Sequence, residues 1–259
     1  MGLTGYSAAL VAVWQGVWTF RSKDRLVLIL LLLGVTALGI SIAIRWIGVG
    51  YGPFLTLYEI LLSNLFSLGL IYTLVYWRVS AVRAGALAVV PILTLLAIWI
   101  VFVPSTPSRL PATYDNILLW IHVGLGKLFL GSCLVAVGMA CVLLLRLNRF
   151  VPDIKLPAME VADNLVWRFM SVAFVFHTLM LISGAVWAQD AWGRYWGWDP
   201  LETWTFITWL VLGIALHIRV AYKISPQTGW LMSMVVFGLA FLTFFGVPFV
   251  SVAPHKGVF

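Results

Sequence analysis

Long apolar runs, broken at intervals by short clusters of charged, proline and glycine residues, predict eight helices along the chain. They are Gly5–Phe20, Leu26–Val49, Leu57–Trp77, Ala84–Val103, Ile117–Leu147, Val166–Ala188, Glu202–Tyr222 and Gly229–Val247. Each run approaches or exceeds the roughly 20 residues of helix that span a hydrocarbon core about 30 Å thick. The connection after Val103 carries Pro104, Pro107 and Pro111, and proline cannot continue a helix. Arg149–Asp163 holds two prolines and most of the polar residues of its region, so it is predicted to be a second loop. The predicted fold class is all-α: one polytopic membrane bundle over residues 1–259 with a tryptophan-rich outer loop between its sixth and seventh helices.

Composition narrows the function classes. Hydrophobic residues make up 63% of the 259, and charged residues 10%. Soluble domains are about a quarter charged, so a water-soluble enzyme is excluded, and the eight helices leave no room for a soluble catalytic or nucleotide-binding domain. Cys133 and Cys141, both within one apolar run, are the only cysteines. They read as buried small hydrophobes and do not form the CxxC spacing of a redox pair. The Tyr6–Phe20 stretch has no cationic region before it and Arg21 after it, unlike a cleavable signal.

A net charge of +7 fits a membrane topology better than nucleic-acid binding. With the loop between the sixth and seventh helices outside, the inner side collects eleven basic residues: Arg21, Lys23, Arg25, Arg78, Arg83, Arg146, Arg149, Lys155, Arg168, Arg219 and Lys223. The outer side collects four, Arg45, Arg109, Arg194 and Lys256, and Lys127 falls within a span. Cytoplasmic loops are the basic ones, so both ends of the chain are predicted on the outer side.

The segment Trp187–Trp204 holds Trp187, Trp192, Trp196, Trp198 and Trp204, with Tyr195, Gly193 and Gly197 among them. An interfacial aromatic belt would also concentrate tryptophan, but it requires neither fixed spacing nor glycine. Glycines allow a tight bend and a close approach to a ligand. Asp199-Pro200-Leu201-Glu202 reads as a helix start, with Asp capping, Pro first and Glu third. The combination predicts a shaped aromatic platform for a large flat ligand.

The string WGRYWGWDPLETWTFITW, followed by Leu216-His217 and Arg219, resembles the tryptophan-rich WWD domain of haem-handling proteins. It is most similar to the CcsA/ResC-like family, the membrane component of system II cytochrome c synthases. Ile182-Ser-Gly-Ala-Val-Trp187, Leu57-Tyr58-Glu59 and the ending from Phe245-Gly246 to His255 extend the likeness. The resemblance is close over residues 166–259, the haem-handling half, and loose before it. It implies a chain in the bacterial inner membrane or the thylakoid membrane, with its site toward the periplasm or lumen. Its non-covalently bound cargo would be haem b. Its partners would be a CcsB/ResB-like membrane protein and an apocytochrome c with a CxxCH motif. The chain would then be part of a cytochrome c haem lyase and not an enzyme alone.

The four histidines separate by depth. His122 lies near the outer end of its helix and His255 in the outer tail, on the side of the tryptophan loop. Two neutral imidazoles there could supply both axial ligands of haem iron, and the resemblance implies that role for both. His217 follows Asp199 by 18 residues, or ~27 Å of helix, which sets it near the inner interface. The resemblance assigns that position to an inner haem site. His177 matches no ligand of the family, and a hydrogen bond to a neighbouring helix is its expected role, a ligand on the haem path its alternative. Arg194 is the first candidate to pair with the haem propionates, followed by Arg45 and Lys127. Trp192, Trp196 and Trp198 are expected against the macrocycle, with Asp199 as cap and Glu59 as a structural partner. A second function uses the same ligands: a haem-binding electron-transfer or anchor subunit of a respiratory multihaem complex.

Overall fold

A computed structural model describes residues 7–8, 11–12, 23–52, 55–148 and 157–247. The predicted helix Gly5–Phe20 lies outside them apart from residues 7, 8, 11 and 12, which are helical. The described helices are α1 (Asp24–Val49), α2 (Leu57–Arg78), α3 (Ala86–Val101), α4 (Ile117–Leu147), α5 (Met159–Trp192), α6 (Pro200–Ala221) and α7 (Pro226–Phe241). A 3-10 turn, Ser80–Gly85, leads into α3; another, Ala112–Tyr114, precedes α4; and a π-helical turn, Leu242–Gly246, continues α7. No strand occurs among the described residues. With these turns, seven helices among the described residues are long and apolar enough to cross a membrane. The exposed side chains of α1 include Ile29, Leu33, Ile40, Ile44 and Ile47. Water does not tolerate so large an apolar surface, and lipid does. The chain is a multi-pass membrane protein.

Contacts group the chain into two compact units, Met1–Ser108 with Leu134–Val166, and Arg109–Cys133 with Trp167–Phe259. In the first unit α2 lies between α1 and α3. Its start carries a reciprocal cap: Glu59 N–H donates to Thr56 Oγ1 at 3.3 Å, and Thr56 N–H donates to Glu59 Oε2 at 3.0 Å. The fully buried Glu59 carboxylate also holds Arg45, with Nη2 at 2.8 Å and Nε at 2.9 Å. Arg45 Nη1 donates to the Ser105 carbonyl at 2.9 Å, and the guanidinium lies over the Tyr58 ring. Glu59 is therefore the structural partner expected of it. Arg45 is committed to an ion pair and a loop carbonyl, which removes it as a candidate for an incoming propionate.

Two predicted boundaries move. Helix α5 begins at Met159 and ends at Trp192, absorbing the end of the predicted Arg149–Asp163 loop and the first third of the predicted tryptophan loop. Apolar runs mark only the part of a helix that lies in hydrocarbon. Backbone hydrogen bonding continues through Glu160, Asp163, Gln189 and Asp190, polar residues suited to the headgroup layer. Glu160 in the first turn also faces the positive end of the helix dipole. Cys133 and Cys141 are free thiols, the first fully buried in α4.

Candidate functional site

The site belongs to the second unit and begins where α5 stops. Gly193 adopts φ +72° and its N–H returns to the Gln189 carbonyl at 2.9 Å. This is the left-handed glycine that ends many helices. Gly193–Trp198 then connects to α6, whose first turn is held by the predicted cap. Glu202 N–H donates to Asp199 Oδ1 at 2.9 Å, while Glu202 Oε2 accepts from Asp199 N–H at 3.3 Å and Gly197 N–H at 2.7 Å. One buried carboxylate thus anchors both the helix start and the link before it.

Trp198 is the one non-glycine residue with positive φ, +55°, among the described residues. For an L-residue that conformation costs on the order of 1–2 kcal/mol, so the fold retains it against local preference. Its ring makes edge contacts with Trp196 at 5.7 Å and Phe206 at 6.0 Å, yet two thirds of the residue remains exposed, as does most of Tyr195. Trp196 Nε1 is buried and has no hydrogen-bond partner among the described residues. At Gly197 the missing side chain makes room for Arg194. An added Cβ would lie 2.7 Å from Arg194 Cζ, so the guanidinium fills that space.

The tryptophans divide into two groups. Trp196 and Trp198 continue into a ladder with Phe206, Trp209 and Phe174 along α6 and α5. Trp187 and Trp192 lie at the end of α5, their rings 4.8 Å apart and T-shaped. Trp187 is buried, and its Nε1 donates to the Thr113 carbonyl at 3.1 Å. Tyr114 meets its ring edge-on at 5.6 Å, and burial pushes the Tyr114 phenol up to about 12. Asn116 Nδ2 reaches across to the Asp190 carboxylate. The turn before α4 is in this way fastened to the last turns of α5.

His122 joins the second group. Its ring is nearly parallel to that of Trp187, with centroids 6.4 Å apart and 16° between planes. Nδ1 lies 2.9 Å from the Met180 carbonyl oxygen. A carbonyl only accepts, so Nδ1 carries the proton and the lone pair of the neutral ring is on Nε2. An N–H bond to a backbone carbonyl is the arrangement that fixes tautomer and orientation in metal-binding histidines. Gly184 makes it possible, because a Cβ there would lie 2.6 Å from both Cε1 and Nδ1 of His122. The sequence motif containing Gly184 and Trp187 therefore has a local cause: both residues seat His122.

The other expected residues are distributed as follows. His255 lies outside the described residues. His217 is exposed near the far end of α6, its ring edge-on to Tyr222 at 6.4 Å. Arg219 stacks over Trp167 at 5.3 Å in the same region. Lys127 is within α4. His177 corrects the expectation of a bond to a neighbouring helix. It is fully buried, neither ring nitrogen has a hydrogen-bond partner among the described residues, and its ring lies flat on Phe129 at 3.9 Å.

Among the described residues no three His, Cys, Asp or Glu side chains gather to cage a bare ion. A single oriented imidazole beside large rings instead suits a metal that brings its own equatorial ligands. A neutral imidazole with its lone pair on Nε2 is a donor of the kind that iron porphyrins take as an axial ligand.

The model of the family described as Cytochrome C assembly protein matches residues 54–255, a span that includes all four histidines. A similar curated protein is "Cytochrome c biogenesis protein CcsA" of Atropa belladonna, 28% identical over 249 residues, covering 82% of this chain and 78% of that one. The protein of the same description from Porphyra purpurea is 26% identical over 300 residues, covering 97% and 93%. That of Spinacia oleracea is 39% identical over 97 residues, covering 38% and 30%.

Proposed function

This chain belongs to the cytochrome C assembly protein family, and within cytochrome c maturation we propose that it carries haem b to the outer membrane face and presents it there for covalent attachment, as the haem-handling subunit of a system II-type synthase. The observation that carries this reading is the His122 Nδ1 bond to the Met180 carbonyl across Gly184. A histidine held in this way has Nε2 directed by its surroundings, which a merely interfacial histidine does not require.

In this account the outer site belongs to the haem-handling half, residues 166–259, together with His122. His122 and His255 are the two axial ligands of the iron. Trp192, Trp196 and Trp198 flank the macrocycle, and Asp199 keeps the connecting segment in place through its cap. Arg194 is close enough to Trp196 in sequence to pair with a propionate while Trp196 Nε1 donates to one. His217, at the far end of α6, holds haem on the inner side before it moves outward. The basic residues support the corresponding orientation, with the tryptophan segment toward the periplasm or lumen.

The chain contributes position and orientation, as proteins generally do for a reactive group of this kind. An apocytochrome supplies the chemistry: the histidine of its CxxCH segment displaces one axial imidazole from reduced iron. Each cysteine thiol then adds across a vinyl group, forming a C–S bond as the thiol hydrogen passes to the other vinyl carbon. No thiol of this chain is required, consistent with Cys133 being buried. A CcsB/ResB-like membrane partner would complete the inner site.

The deciding experiment is deletion of the gene followed by haem staining of denatured membranes. Loss of every covalent c-type cytochrome, restored by the intact chain and not by His122→Gly, supports the synthase reading. Normal maturation with loss of one quinol-dependent activity would replace it with the electron-carrier reading.

A further inference from the structure

Helices α4 and α5 run antiparallel against each other in one register, which four contacts define. Asn116, just before α4, donates from Nδ2 to the Asp190 carboxylate. A Cβ at Gly184 would lie 2.6 Å from the His122 ring, and one at Gly126 would lie 3.0 Å from Met180 Sδ. Phe129 and His177 stack at 3.9 Å. The steps between these residues are six, four and three along α4, and six, four and three in reverse along α5. One rotation and one axial setting therefore satisfy all four contacts, and the His122 Nδ1 bond to the Met180 carbonyl belongs to the same setting. A slip of one residue would shift the helices ~1.5 Å along and ~100° around, which is enough to break that bond.

Shape alone sets this register weakly. Lipid is as apolar as most of the seam, so helix association there gains little from water, and polar bonds between helices carry more of the choice. A polar pair at a single position is the best-attested device for fixing helix register. Asn116 and Asp190 have the chemistry for it. Asn116 Oδ1 accepts from Leu118 N–H at 2.8 Å and so caps α4. Aspartate caps equally well, but the amide also keeps an N–H to donate across the seam. Asp190 stands in the last turn of α5, the negative end of the helix dipole, where a carboxylate is disfavoured. The bond to Asn116 gives it a purpose that its own helix does not. Trp187 adds a second tie at the same end, through Nε1 to the Thr113 carbonyl.

We propose that Asn116 and Asp190 are positioning residues for His122: their bond sets the α4–α5 register in which Gly184 faces the imidazole and the Met180 carbonyl holds Nδ1. This rests on the reading of His122 as a haem ligand and extends it to two residues that the haem site itself does not include. The lever is short. Asn116 precedes His122 by six residues and Asp190 follows Gly184 by six, ~9 Å of helix on each side. Helices act as rigid elements over that length, so a displacement at the pair is delivered to the imidazole.

The test exchanges the two groups in the full chain, purified in detergent from haem-replete cells, with haem per protein and the absorption spectrum as readouts. Asn116→Asp keeps an acceptor for Leu118 N–H and sets two carboxylates against each other. It is expected to lower haem per protein about tenfold, as loss of a group that orients a metal-binding histidine does, and added imidazole is expected to restore the low-spin spectrum. The double variant Asn116→Asp with Asp190→Asn rebuilds the bond in the opposite sense. It is expected to recover the wild-type haem content and spectrum without imidazole. Asp190→Ala removes the acceptor without adding repulsion and is expected to behave as Asn116→Asp does. An aspartate cap suits the start of α4, and loss of a negative charge suits the end of α5, so melting temperatures are expected to stay close to that of the wild type. Wild-type haem content in Asn116→Asp overturns the proposal, as does a double variant no better than the single one, or haem loss that only follows loss of folded protein. A colourless wild type overturns the reading of His122 as a ligand, and the positioning with it.

Discussion

Gly184→Ala adds one methyl group at the point where α5 makes room for His122. That carbon would lie 2.6 Å from Cε1 and Nδ1 and 3.5 Å from Cγ of the imidazole. Carbon contacts settle near ~3.5–4.0 Å, so the ring must retreat by about 1 Å. Retreat lengthens the 2.9 Å bond from Nδ1 to the Met180 carbonyl beyond hydrogen-bonding range. Losing it and displacing Nε2 is expected to weaken haem retention about 10–100-fold, the usual effect of removing a group that orients a metal-binding histidine. The helix itself gains from the change, because alanine is favoured over glycine by about 1 kcal/mol. The signature is therefore a stable but poorly loaded protein. The assay compares haem per protein and the melting temperature in detergent for Gly184→Ala and Gly124→Ala. Gly124 lies on α4 near His122, but a Cβ there meets nothing within 4 Å, so haem content should be unchanged. Wild-type haem content in Gly184→Ala would refute the proposed seating of His122.

Other substitutions separate stability from function. Trp198→Asn relieves a left-handed tryptophan and is expected to raise stability by up to about 1 kcal/mol while lowering haem content, because strain retained at a site usually serves it; thermal melts and haem assays on the same preparation check both. Asp199→Ala removes the α6 cap and is expected to cost about 1–2 kcal/mol, measured by thermal unfolding in detergent, with haem loss accompanying it. Glu59→Gln leaves Arg45 short of its buried counter-charge and is expected to cost about 3 kcal/mol, in the range for breaking a buried pair. Haem bound by its folded fraction should keep the wild-type spectrum. Tyr114 titrates near 12 in the folded protein against about 10 when unfolded. Its contribution is complete below pH 10 and is lost as pH rises from 10 to 12. Over that interval the wild type should lose stability faster than Tyr114→Phe, and parallel melting curves would refute the assignment.

The helices were legible because hydrocarbon demands long uninterrupted apolar runs, and the α6 cap because Asp-Pro-x-Glu is a local pattern whose bonds close within four residues. What could not be read depends on distant partners or on backbone atoms. The acceptor for His122 is a main-chain carbonyl 58 residues away, which no side-chain pattern encodes. Gly184 stood in a recognisable motif, but its purpose appears only when α4 is brought against it. Arg45 was open to a ligand in sequence and is occupied by Glu59 in the fold. The extent of α5 escaped because hydropathy measures solvent preference and not hydrogen bonding. General grounds predict a helix-to-helix bond for His177, and among the described residues the packing around it provides none.

The central claim is that His122 offers Nε2 to haem iron on the face carrying the tryptophan segment, opposite His255. The most direct measurement is the absorption spectrum of the purified protein after His122→Gly and after His255→Gly, each with and without added imidazole. The account predicts a low-spin spectrum in the wild type, its loss in each variant, and its return when imidazole fills the vacated position. A wild-type spectrum in either variant without imidazole would contradict it.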